Sequence, residues 1–276
     1  KWGSVSVIIL VIGFFMYLKI SGTTLNDAGL GILGWVKDIK GDGVDFSEFE
    51  THETAVITHE KWNSLLIQYV DEEGRVDYKG FKADPEFNEY LALLSDHPPG
   101  RNWRQDEKLA YWINAYNAFT VKLIVDHYPL KSIKEISDGT ILLNSSWDIK
   151  FFQIGGIDFD LNTIEHDILR TQFNEPKIHF AINCASISCP KLRNEAYEAE
   201  RIDEQLDNQL KDFMDDPSKN QIGAGQTKLS AIFSWFEGDF TKHGSLTEFI
   251  APFAKTLNSA NKIDYLDYNW DLNEKP

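Results

Sequence analysis

Residues 2–18 read WGSVSVIILVIGFFMYL, seventeen positions without a charge. At a rise of about 1.5 Å per residue, a helix over this run spans roughly 26 Å, close to the ~30 Å hydrocarbon core of a bilayer. Trp2 and Tyr17 stand where interfacial aromatics belong, and Lys1 and Lys19 flank the run as cations able to reach headgroups. The pattern predicts a transmembrane anchor over residues 1–20, with the membrane as a partner through residues 2–18. Two alternatives compete with it. A secretory leader needs a small-residue cleavage site after the apolar run, and none that convinces is present there. A buried helix of a soluble domain seldom runs so far without a charge. Few basic residues stand between Lys19 and a long acidic stretch, which favours translocation of the acidic part. The globular part is therefore expected outside the cytoplasm, in the periplasm of a Gram-negative cell.

The remainder is strongly acidic. Across 276 residues, 43 Asp and Glu against 27 Lys and Arg leave a formal charge of −16. A field of that sign repels phosphate backbones, and no Lys/Arg-rich stretch opposes it, so nucleic acid is not an expected partner. Hydrophobic residues at 42% and aromatics at 13% supply enough apolar surface for a folded core. The two cysteines, Cys184 and Cys189, are too few for a disulfide scaffold or a four-cysteine zinc site. With no dinucleotide fingerprint, P-loop or His-Glu-x-x-His motif, neither a cofactor nor a metal is expected.

Residues 21–57 are Gly-, Thr- and Asp-rich and read as a linker. Within them, residues 38–48 resemble a calcium loop, but Lys40 takes the third ligand position and Phe49 falls where the bidentate glutamate belongs, so an acidic turn is the better reading. A globular domain is expected over residues 58–276. Trp62, Leu65, Leu66, Tyr69 and Val70 share a helical face, with a short strand or turn after it at residues 76–78. Asp84-Pro85 opens a second helix through Leu94. Asp106 is placed to cap a long helix running from Glu107 to about His127. Residues 132–157 read as strand-like, with Gly155-Gly156 as a hairpin turn. Asn162 is a candidate cap for a helix holding Ile164, Ile168 and Leu169. Residues 177–183 read as a buried strand and 202–214 as a helix. A strand or helix start is expected at 229–235, an amphipathic segment at 246–257, and a strand at 263–270. Without regular βαβ alternation, the class is α+β: helices packed on a small mixed or antiparallel sheet, preceded by one transmembrane helix.

Three segments concentrate polar chemistry. In HFAINCASISCP (residues 179–190) an apolar run enters a loop of small and hydroxyl residues, a place where a nucleophile can be both fixed and exposed. Cys184 needs a base to become a thiolate near neutral pH, and His179 and His166 are nearest in sequence. If the strand continued to Cys184, residues 179 and 184 would stand about 16 Å apart on opposite faces. They meet only if the chain bends, which keeps His166 and His127 as alternatives. A Cys184–Cys189 disulfide is the competing reading, reasonable in an oxidising compartment. In the long helix, Asn114, Asn117 and Thr120 share a face among aromatics. Buried there, the amides either fix a loop or orient a catalytic histidine. In IEHDILR (residues 164–170), Glu165 and His166 point apart, while His166 and Arg170 share a face.

These segments resemble the family of bacterial and plant proteins known as domain of unknown function 547. The resemblance rests on WINAYNAFTVKLI, IEHDILR, HFAINCASISCPKL with Ala196-Tyr197 after it, WFEGDF from Trp235, and YLDYNWDLN from Tyr265, over about residues 60–273. It implies a distant similarity to papain- and transglutaminase-like cysteine hydrolases. Cys184 would then be the nucleophile, with a histidine and a polar orienter, in an order permuted from the usual Cys-His-Asn.

Two functions are expected on these grounds. In one, a membrane-tethered cysteine hydrolase or acyl transferase acts on peptide-like amides. Cys184 attacks, His179 or His166 is the base, Asn114, Asn117 or Glu165 orients it, and the amides of residues 185–188 hold the oxyanion. In the other, the protein is a non-catalytic accessory or assembly subunit of a membrane protein complex, docking through its acidic, aromatic-rich surface.

Overall fold

A computed structural model describes residue 49 and residues 51–137, 145–223, 226–253 and 262–276. Its first helix keeps to the apolar spacing of the sequence: α1 (Glu60–Tyr69) buries Trp62, Leu65 and Leu66 on one stripe. The turn after it is not a strand. Asp77 accepts the Gly80 N–H at 2.8 Å and starts α2 (Tyr78–Ala83), while Val76 makes single bridges to Val70 and Glu274. Asp84 accepts the Glu86 N–H at 2.9 Å and starts α3 (Pro85–Asp96), with proline where a missing N–H does no harm.

The fourth helix, α4 (Gln105–His127), is the spine of the molecule. Its first turn is closed by the Glu107 carboxylate, which accepts the Arg104 N–H at 2.7 Å, so Asp106 lies inside the helix rather than capping it. From residue 109 to 125 almost every side chain is buried, which is why the segment carries no polar stripe.

The diglycine turn forms as expected. Gly155 and Gly156 have φ of 59° and 80°, the pair of positive values a tight two-residue hairpin requires. They join β1 (Phe152–Ile154) to antiparallel β2 (Ile157–Phe159), with Ile154 opposite Ile157. The rest of the expected strand region differs: Ile133–Glu135 and Ser146–Asp148 are single 3-10 turns, and residues 138–144 lie outside the described residues.

Residues Thr163–Leu169 form a π-helical turn that runs on into Arg170–Gln172. Asn162 does not cap it. The Thr163 N–H is accepted at 2.7 Å by Asp160, and the Asn162 amide donates instead to Asp148. The expected strand at 177–183 is a short helix, α5 (Ile178–Ala181). All four of its residues are buried, and a continuously apolar run looks the same in either conformation. Next, α6 (Ile202–Asp215) buries Ile202, Leu206, Leu210 and Phe213 at helical spacing. A three-stranded sheet comes after it, β3 (Gln221–Ile222), β4 (Thr227–Leu229) and β5 (Ile263–Tyr265), antiparallel in its first pair and parallel in its second. Between β4 and β5 stand α7 (Ile232–Trp235), α8 (Glu237–Phe240) and α9 (Leu246–Ile250).

The class is α+β, with two small sheets among the described residues where one was expected. The larger apolar core surrounds α4. A second cluster joins Phe180, Leu210, Phe213, Leu229, Phe233, Phe240 and Ile250. The short α5 lies on the seam, because Ile178 and Ala181 belong to the first cluster and Phe180 to the second. The packed region begins ahead of residue 58: Phe49 is buried near Phe159, and Thr54 exchanges hydrogen bonds with Asn102 at 3.0 Å. The apolar run 2–18 and the acidic loop 38–48 lie outside the described residues; among the described residues, no helix is long and apolar enough to cross a membrane.

Candidate functional site

Two buried asparagines of α4 set up the site. Asn117 accepts the Asn183 N–H at 2.8 Å and donates to the Ala181 carbonyl at 3.0 Å. Its amide thus pairs with the backbone as a neighbouring strand would, and it holds the chain straight as it leaves α5. Asn114 does the same three residues earlier, accepting from the Tyr197 N–H at 3.0 Å and donating to the Tyr197 carbonyl at 2.8 Å. Both amides are committed to backbone, and neither orients a histidine. They position loops.

The next asparagine closes the loop that Asn117 presents. Asn183 donates to the Pro190 carbonyl at 2.7 Å and accepts the Ala185 N–H at 2.8 Å. Ala185 is held at φ 59°, a left-handed conformation that costs an L-residue roughly 1–2 kcal/mol and is tolerated where surrounding bonds enforce it. The chain's C-terminal strap supplies that enforcement. Ser186 bridges Leu272, Ile187 N donates to Asp271 O at 2.8 Å, Ser188 N to Asn269 O at 3.1 Å, and Asn273 N to Ala185 O at 3.3 Å.

Cys184 and Cys189 are both free thiols, so the disulfide considered from sequence is not formed. Cys189 is buried and Cys184 half-buried. The Cys184 N–H points at the Cys189 sulfur, 2.9 Å away. The Cys184 sulfur lies 3.1 Å from Ser186 Oγ and 3.2 Å from Tyr268 Oη, while the Cys189 thiol donates to the Ile182 carbonyl at 3.9 Å. Burial pushes the Cys184 thiol up, but the hydrogen bonds of Cys189, Ser186 and Tyr268 outweigh it and hold the thiol below its ordinary value. Cys189 goes the other way: burial and the neighbouring Cys184 sulfur raise it well above the usual range. The surroundings favour the thiolate form at Cys184 and the protonated thiol at Cys189.

The histidines are placed elsewhere. His179, 3% exposed, sets its Nε2 2.7 Å from Asp239 Oδ2. Its ring stacks on Phe236 with centroids 3.9 Å apart, and its buried Nδ1 has no hydrogen-bond partner among the described residues. Burial lowers its pKa and prevails over the Asp239 carboxylate, so the ring is neutral and that nitrogen carries a lone pair. His166 Nδ1 contacts Arg170 Nη1 at 2.7 Å, as their spacing of four predicts. Arg170 reaches across to Asp239 with Nε at 2.6 Å and Nη2 at 3.2 Å. Burial pushes the Asp239 carboxyl up, yet His179 and the Arg170 guanidinium together hold it far below the usual range. His127 Nδ1 contacts the Leu123 carbonyl at 2.9 Å, within its own helix. The Cys184 sulfur is thus bordered by the Ser186 and Tyr268 hydroxyls, with no histidine in hydrogen-bond contact with it among the described residues.

Glu165 turns inward from the π-helical turn and accepts the Tyr116 hydroxyl at 3.2 Å. Burial raises its pKa to about 7, only partly offset by Arg170 and by Tyr116. Its charge bears on Cys184. A wall of half-exposed rings borders the thiol: Tyr268 packs on Trp270 at 4.5 Å and on Trp235 at 4.7 Å, and Trp270 meets Trp147 at 5.7 Å. The loop amides are less available than the sequence suggested. Those of Cys184, Ala185, Ile187 and Ser188 all donate within the protein, which leaves the Ser186 N–H. Two open surface hollows of about 470 and 500 Å³ include no residue of this setting. Among the described residues, no group of three or more His, Cys, Asp or Glu is placed to hold a metal ion.

Asp239, Phe236 and Tyr268 were not singled out from sequence as site residues. All three lie in segments that carried the family resemblance, WFEGDF and YLDYNWDLN, and an acidic or phenolic group inside an aromatic run was the available signal.

Residues 100–214 match the family described as protein of unknown function, DUF547. The match contains Asn114, Asn117, Glu165, His166, His179 and both cysteines, while Asp239 and Tyr268 lie beyond it. No curated protein and no solved structure gives a significant match.

Proposed function

We propose that this protein is a cysteine-dependent acyl transferase or hydrolase acting on peptide-like amides or related acyl compounds. The observation that carries the reading is the Cys184 sulfur itself: half-buried, and favoured as a thiolate by donors from Ser186, Tyr268 and Cys189. The thiolate attacks the acyl carbonyl carbon and the leaving group departs with a proton. The Ser186 N–H and the Tyr268 hydroxyl are the donors nearest the oxyanion that forms. Glu165, protonated up to about pH 7, is the acid for the leaving group. Water then takes the acyl group from Cys184 when the enzyme acts as a hydrolase. The aromatic wall of Trp235, Tyr268 and Trp270 offers flat apolar faces to the acyl portion. In this reading the run at residues 2–18 tethers the enzyme to a membrane with its domain outside the cytoplasm.

A simple activated ester tests it. On mixing with p-nitrophenyl acetate, the full chain is expected to give a burst of nitrophenol and an acetyl group on Cys184, mapped by peptide mass. Cys184→Ala should lose both. An unchanged burst in that variant, or no acylation of the wild-type sulfur, contradicts the proposal.

One observation favours a second reading, a non-catalytic accessory subunit of a membrane protein complex. Ile187, Trp235 and Tyr265 are 44%, 37% and 40% exposed, the kind of large apolar surface that partners cover. Cross-linking in native membranes that captures a constant partner through Trp235, together with an inert Cys184, would favour it over catalysis.

A further inference from the structure

We infer that Cys184 is a site of oxidation by hydroperoxides, with Cys189 as the resolving thiol that closes an internal disulfide. The inference does not depend on acyl transfer.

Four observations carry it. Both thiols are free, and they are already neighbours, since the Cys184 N–H contacts the Cys189 sulfur at 2.9 Å. They divide exposure as an attacking and a resolving cysteine must: Cys184 is half-buried, and Cys189 is only 5% exposed. The loop between them is drawn tight by Asn183 to Pro190 O at 2.7 Å and by Cys189 N to Ser186 O at 3.1 Å, so the sulfurs stay adjacent. Tyr268 and Ser186 place hydroxyls at the half-buried sulfur, with Ser186 Oγ donating in turn to Tyr268 Oη at 3.3 Å, so that a donor is at hand to favour a thiolate and to protonate a departing oxygen.

In the first step the Cys184 thiolate attacks the peroxide. An S–O bond forms, the O–O bond breaks, and hydroxide or alkoxide leaves and takes up a proton. Sulfur is oxidised by two electrons to a sulfenic acid and the peroxide is reduced. In the second step Cys189, giving up its proton, attacks the Cys184 sulfur. The S–S bond forms, the S–O bond breaks, and water leaves. With hydrogen peroxide the sum is two thiols and one peroxide going to one disulfide and two waters. A dithiol such as dithiothreitol then reduces the Cys184–Cys189 disulfide to two thiols and is itself oxidised to its cyclic disulfide.

The test uses the full chain, reduced, desalted and exposed to hydrogen peroxide with dimedone present as a sulfenic-acid trap. In the wild type, peptide mass should show Cys184 joined to Cys189 within one chain and little dimedone adduct. In Cys189→Ser, dimedone should accumulate on Cys184, on the order of tenfold above wild type, because the resolving sulfur is gone. In Cys184→Ser, Cys189 should resist oxidation. Because serine at a buried position can disturb folding, the wild-type cross-link is read independently, with the same chain unfolded in urea as control; its two cysteines should lose their preference for each other. Two free thiols persisting in the folded wild type under peroxide that oxidises free cysteine, cross-links only between chains, or preferential oxidation of Cys189 would overturn the inference. The readout is mass on sulfur. A disulfide without ester turnover removes the proposed acyl chemistry alone, and turnover without a disulfide removes this inference alone.

Discussion

The Tyr268 hydroxyl lies 3.2 Å from the Cys184 sulfur across 84 positions of sequence. The C-terminal strap therefore completes the thiol site, and Tyr268→Phe deletes a donor while keeping the ring that packs on Trp235 and Trp270. A hydrogen bond to a charged group contributes about 1.5–3 kcal/mol, so alkylation of Cys184 by iodoacetamide at pH 7 should slow by roughly tenfold or more, with little loss of stability. Unchanged alkylation would mean the phenol does not hold the thiolate.

Asp239 joins His179 to Arg170, and its replacement by Asn weakens both contacts. We expect Asp239→Asn to lower stability by roughly 2 kcal/mol in urea unfolding at pH 7. The depressed carboxyl sets the sign with pH. Its contribution is present above the ordinary value of 3.8 and is lost as pH falls through its lower folded value. The variant should therefore lose less stability than wild type on acidification below about pH 4. Parallel acid limbs for the two proteins would show that the pairing contributes nothing.

Glu165 predicts the opposite slope. Its pKa is 4.5 in an exposed chain and about 7 when folded. Between these values the unfolded chain gives up the proton first, so stability falls as pH rises, by about 3 kcal/mol over the full window. Urea unfolding at pH 5 and pH 8 should show most of this loss in wild type, and Glu165→Gln should abolish it. An equal slope in both proteins would place the pH dependence elsewhere.

Asn117→Ala leaves the Ala181 carbonyl and the Asn183 N–H buried without a partner. The expected loss is roughly 2–4 kcal/mol by equilibrium unfolding. In contrast to Asn114→Ala, which frees only Tyr197, it should also change the rate at which Cys184 is alkylated, because Asn183 carries the loop. Equal effects of the two variants on alkylation would remove Asn117 from the positioning of the thiol.

The helices were legible wherever apolar spacing or a cap marked them: Trp62, Leu65 and Leu66 declared α1, Asp84-Pro85 declared α3, and Gly155-Gly156 declared the hairpin. The segment at 177–183 reads as a strand but folds as α5, because four consecutive buried residues leave no period by which helix and strand differ. Cys184 was legible as a centre. Its surroundings were not, since the sulfur's hydroxyl partner arrives from Tyr268 and the partner of His179 from Asp239, and pairings over 60 or more positions leave no local signature. The asparagines of α4 were legible as buried amides but not as clamps on backbone, because what an amide pairs with depends on which loop the fold brings beside it.

The fold favours the thiolate form of Cys184 without a histidine against its sulfur. The pH dependence of its alkylation by iodoacetamide, resolved from Cys189 by peptide mass in the full-length chain, tests it directly. We expect a midpoint for Cys184 below the value of about 8.5 for a free cysteine, with Cys189 inert over the same range. A Cys184 midpoint at or above that of a free thiol, or a Cys189 that reacts first, would contradict it.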